Sequence, residues 1–139
     1  MTIPAFIPAI AAVLFVLFLL YASLKGEFRW KHMWVLPAVL SLLFLLLSLW
    51  AVVTEGAFGF WTEHTRNLWG NQIWLDLLLA VGIAWVLIVP QARAFGMPLL
   101  PWLTLVLSTG CIGFLAMMAR LLYLRENSGL SEQSIQTDV

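Results

Sequence analysis

The chain has 139 residues, 63% of them hydrophobic and 10% charged, with a formal net charge of zero. Soluble domains carry about 25% charged residues, and so short a chain cannot hide this much apolar surface in one water-solvated core. Lipid is therefore the expected solvent, the neutral balance gives no electrostatic claim on nucleic acid, and the single cysteine, Cys111, excludes an intrachain disulfide.

In chain order the pattern predicts an all-α membrane bundle of four transmembrane helices, at about 3–24, 33–53, 73–89 and 99–123. Each approaches the ~20 apolar residues needed to cross the hydrocarbon. Runs such as Leu42 to Leu47 do not alternate in polarity, so a closed barrel is excluded and helices remain. The first span lacks a basic segment before it and exceeds a signal peptide's apolar stretch, which predicts a retained helix.

The segment 25–32 joins the first two helices and carries Lys25, Arg29 and Lys31. The middle segment, 54–72, is rich in aromatics (Phe58, Phe60, Trp61, Trp69) and is expected to lie in the membrane interface, as an anchor or as a lid over the bundle. Pro90 is expected to end or kink the third helix, and Pro98 and Pro101 to open the fourth. Residues 1–125 then form the transmembrane domain, and 126–139 a polar, disordered tail. Counting Lys and Arg near the helix ends favours both termini on the non-cytoplasmic side.

Asp76 stands out because a carboxylate inside an apolar span is costly and usually has a partner or a task. Arg120, in the fourth span, is the expected partner. The last two spans are expected to be antiparallel neighbours because the loop between them is short, and the two residues then differ in depth by roughly 8 Å, within reach of an arginine side chain. Thr109, Gly113, Ala116 and Arg120 form one small-residue stripe, widened by Gly110, and Asp76, Ala80 and Ala84 form a facing one. Such stripes let membrane helices approach closely. Asn71 precedes Asp76 and could extend the polar cluster. The structural alternative is a pair that only fixes the hairpin; the functional one is a proton-active carboxylate.

His32 and His64 fall on opposite faces in this topology, so they cannot share a metal, and no metal or cofactor is expected. No spanning histidine exists to serve as the base of an acyl-transfer triad. Cys111 reads as a small packing residue. The terminal Thr137-Asp-Val139 has the form of a ligand for carboxylate-capturing peptide-binding domains.

Asn71, Trp74-Leu-Asp76, Ala92-Arg-Ala-Phe-Gly96, Trp102 and Arg120-Leu-Leu-Tyr-Leu-Arg-Glu126 together resemble a family of small bacterial membrane proteins of unknown function, over about residues 67–126. The resemblance implies a bacterial membrane protein, with the inner membrane as its expected location, and implies no reaction. The function expected first is a non-enzymatic accessory or assembly subunit, packing laterally on membrane partners or on itself. A small oligomeric transporter or proton-coupled carrier using Asp76 is the alternative. An enzyme acting on an isoprenoid-like substrate, with Asp76 or Glu63 as acid, comes third.

Overall fold

The computed structural model describes the backbone of residues 6–25 and 32–137 and the side chains of 8–24 and 32–128. The expected basic loop with Glu27, Arg29, Trp30 and Lys31, and the terminal Asp138 and Val139, lie outside the described residues. Every regular element described is a helix. The chain divides into two units, 1–31 and 32–139. The first contains α1 (Phe6–Lys25), an apolar helix whose described side chains are almost all exposed.

The second unit holds α2 (Val35–Glu55), α3 (Gly59–Thr65), α4 (Leu68–Ala94), α5 (Leu99–Thr109) and α6 (Cys111–Thr137). α2 and α4 are long and apolar enough to cross a membrane. α2 stops at Gly56, which adopts φ +87 and donates its N–H to the Val52 carbonyl. Glycine reaches this left-handed region without Cβ strain. α4 starts at Asn67, whose side chain accepts the Gly70 N–H at 2.8 Å, satisfying one of the free amides of the first turn. It runs through Pro90 to Ala94.

The expected fourth span is not one helix. It breaks at Gly110, with φ +60 and ψ −124, a conformation that L side chains rarely adopt. α6 folds back along α5. Leu105 and Gly113, eight residues apart, would be separated by about 12 Å on a continuous helix. Here a Cβ on Gly113 would come within 2.8 Å of the Leu105 carbonyl. Thr109 closes the turn: its hydroxyl donates to the Leu105 carbonyl (2.6 Å) and accepts the Gly113 N–H (3.0 Å).

This hairpin fixes the directions of its neighbours. Ile88 and Ala92 of α4, Met97 of the connecting loop, and Met117 and Leu121 of α6 form the core, flanked by Trp85, Phe95, Phe114 and Leu124. The α4 and α6 positions share one spacing of three, four and three residues, so both helices present a stripe of helical period. α4 and α6 run in the same direction, with α5 returning between them in sequence. α2 runs opposite to α6: the Ser41 hydroxyl donates to the Ile112 carbonyl (2.9 Å) near the α5–α6 turn, while Trp34 meets Tyr123 edge-on (5.5 Å) at the other end.

Two expectations are corrected by this path. The later part of α6 lies at the same end of the unit as the 95–98 loop, not with the middle segment. Residues 126–137, expected as a disordered tail, continue α6 as helix to Thr137.

Candidate functional site

The second unit has two chemically different ends and one charged residue between them. At the α2 start, the His32 N–H donates to both carboxylate oxygens of Glu126 (3.0 and 3.2 Å), and the His32 ring lies 3.7 Å from the same group. His32 holds φ +64, a left-handed conformation unusual for a side-chain-bearing residue. The carboxylate therefore faces the amino end of α2, where backbone dipoles favour negative charge. Arg120 spreads its guanidinium over the Tyr123 ring, 5.6 Å from the centroid. Arg93 in the last turn of α4 and Arg125 on α6 are exposed near the same end.

The opposite end is built by α3 against the start of α4. His64 bonds the Phe60 carbonyl and stacks edge-on against Trp74 at 5.0 Å, with Phe60 6.1 Å from the same indole. Gly70 makes this packing possible, because a Cβ there would fall 2.5 Å from the Glu63 carbonyl oxygen. Glu63 pairs with Arg66 at 3.1 Å on the exposed surface. An open concavity lined by Glu63, His64, Asn67 and Trp69 lies over this joint.

Asp76 and Arg120 do not meet. Their expected pairing requires 99–123 to be one straight helix. Turning at Gly110 brings Arg120 back to the level of Ala92, because its neighbour Leu121 packs in the Ala92 cluster. Asp76 lies 16 residues before Ala92, about 24 Å along α4 at 1.5 Å per residue. Among the described residues no ion pair to Asp76 forms, and its side chain is exposed.

The small-residue stripes are likewise redistributed. Thr109, Gly110 and Gly113 join α5 to α6 rather than α6 to α4, and Ala116 is partly buried beyond them. Ala80 is exposed and Ala84 half-buried. Asn71 donates to the Asn67 carbonyl (3.1 Å) and so belongs to the α4 cap, not to a cluster with Asp76.

The face that Asp76 occupies is readable from burial. Among the partly or fully buried positions of α4, Trp74, Leu77, Val81, Trp85, Ile88 and Ala92 follow helical spacing along its inner side, with Gly70, Ala84 and Val89 flanking them. Asp76 is rotated by about 100° or more from those six positions, at 100° per residue. It shares the outer side with Leu79, Ile83 and Leu87, which are 65%, 62% and 66% exposed. What sequence reasoning missed was this outward aim; the signal available was the positive-φ demand at Gly110, a glycine followed three residues later by another.

No family model, no curated protein and no solved structure matches this chain.

Proposed function

We propose that the chain is an integral membrane protein acting as an accessory or assembly subunit, docking laterally on other membrane proteins. In this reading α2 and α4 cross the bilayer, and the α5–α6 hairpin enters it from the arginine-bearing end. α5 has 11 residues and is about 16 Å long, half of the ~30 Å hydrocarbon thickness. The observation that carries the proposal is the exposure of the two long helices. Only 11% of the apolar window of α2 and 6% of that of α4 are buried. A soluble core helix is covered by its own chain; these are not, and lipid or a partner must cover them.

Among the described side chains, Arg93, Arg120 and Arg125 lie at one end of the second unit and Arg66 at the other. A cytoplasmic arginine end fits the positive-inside rule, and it carries the later part of α6 to the cytoplasm. Trp34 and Tyr123 would then sit at that headgroup level, and Phe60, Trp61, Trp69 and Trp74 at the opposite one.

Photo-crosslinking residues introduced at Leu46 on α2 and Ile83 on α4, activated in native membranes, test the proposal. Discrete protein adducts, to another membrane protein or to a second copy, are expected from at least one position. Lipid adducts alone from both positions would overturn it.

A further inference from the structure

The outer side of α4 specifies its partner more narrowly than exposure alone. We infer that the face formed by Asp76, Leu79, Ile83 and Leu87 docks a transmembrane helix that carries a lysine or arginine opposite Asp76. The inference rests on the membrane reading above and adds the chemistry of the partner.

Three observations lead to it. Asp76 points away from the bundle stripe that ends in Ile88 and Ala92. No cation among the described residues pairs with it: Arg120 lies about 24 Å along the helix and covers Tyr123, and Arg66 is held by Glu63. On that face Leu79, Ala80 and Ile83 are apolar and exposed, and Gln72, one turn toward the α3 side, is polar but uncharged, so in a bilayer the carboxylate would be presented sideways to hydrocarbon without a counter-ion. Charged groups in a membrane-spanning helix pair with one another or face water. A basic residue on a neighbouring helix satisfies the carboxylate, while Leu79, Ile83 and Leu87, at three-, four- and four-residue steps, offer the ridge for helix packing.

Depth sets the register. The apolar stretch of α4 begins at Ile73, so Asp76 is about one turn inside the membrane on the α3 side. The partner's cation must sit at that depth. A second copy of this chain pairing α4 with α4 about an axis normal to the membrane would oppose two carboxylates, which disfavours that arrangement.

The test uses the full chain in phosphatidylcholine vesicles with synthetic leucine–alanine transmembrane peptides, association being read by energy transfer. One peptide carries a single lysine about four residues from one end, a second carries leucine there, and a third glutamate. The wild-type chain is expected to associate with the lysine peptide roughly tenfold more strongly than with the leucine peptide. Asp76→Asn should erase the difference, and Asp76→Lys should move the preference to the glutamate peptide. Unchanged helical circular dichroism shows that the variants remain folded. Equal association of the lysine and leucine peptides, or a lysine preference that survives Asp76→Asn, overturns the inference. Native-membrane adducts from Leu46 but none from Ile83 would also overturn it, while leaving the accessory-subunit proposal intact.

Discussion

Gly113 lies directly against the backbone of Leu105, so closely that an added Cβ would stand 2.8 Å from the Leu105 carbonyl carbon and oxygen and from the Thr109 hydroxyl. Two of these three obstacles are main-chain atoms, which cannot swing aside as a long side chain could. Gly113→Ala should therefore force α5 and α6 apart near their turn and cost about 1–3 kcal/mol, the range for overpacking. Thermal unfolding in detergent, followed by circular dichroism, measures this. Gly82→Ala is the control: nothing lies within 4 Å of that position, and alanine is the better helix former.

Gly110 makes a different demand. Its φ of +60 and ψ of −124 match the first central residue of a type II′ turn, a place for glycine or a D-residue. L-alanine at position 110 should cost about 1–3 kcal/mol through backbone strain. D-alanine introduced by semisynthesis should preserve stability. Equal loss with both enantiomers would mean that bulk, not backbone handedness, limits the turn.

At the other end of α6, Glu126 receives the His32 N–H. The bond is to the main chain, so the His32 ring is dispensable while the carboxylate is not. Glu126→Ala should lower stability by about 1–2 kcal/mol, a charge-assisted hydrogen bond's worth at a helix start. His32→Gly should be neutral or stabilising, because glycine relieves the positive φ. Chemical denaturation of both variants separates the two roles.

The expected Asp76–Arg120 ion pair makes an exact counter-prediction through a double-mutant cycle. Residues packed as partners couple, whereas sites more than about 7–10 Å apart add within ~0.3–0.5 kcal/mol. Asp76→Asn and Arg120→Gln should be additive in unfolding experiments. Arg120→Gln alone should cost under about 1 kcal/mol, since its visible partner is the exposed ring of Tyr123.

How far the fold was legible in the sequence depends on which physics decided each element. α2 lies close to the expected 33–53, a mostly apolar run closed by Gly56, whereas α4 starts at the Asn67 cap, ahead of the expected 73, a local signal that a span counted by hydropathy passes over. The Gly110 break is also local, but hydropathy does not register it: Leu99 to Tyr123 stays apolar on both sides of the turn. A span counted by composition therefore hides a reversal of direction. The Asp76 site inherited that error, because pairing it with Arg120 used residue counts along a straight helix. The capping role of Asn71 and the use of Thr109 and Gly113 within one hairpin were invisible for the same reason: stripes reveal which residues share a face, not which neighbour the face meets.

The reversal at Gly110 has a consequence that labelling can read without a structure. A straight fourth span would put the 95–98 loop and the later part of α6 on opposite sides of the membrane. A hairpin returns α6 to the side it left, as the shared cluster of Met97 with Met117 and Leu121 requires. In a chain with Cys111 replaced by alanine, single cysteines at Ala94, Arg125 and Phe58, all exposed, report the arrangement in oriented vesicles through a membrane-impermeant maleimide. Cysteines at 94 and 125 should label from the same side, and a cysteine at 58 from the other. With arginines at 93, 120 and 125 drawing that end inward, the shared side should be the cytoplasmic one. Labelling of positions 58 and 125 from one common side would restore the straight helix, and with it the original neighbourhood of Asp76 and Arg120.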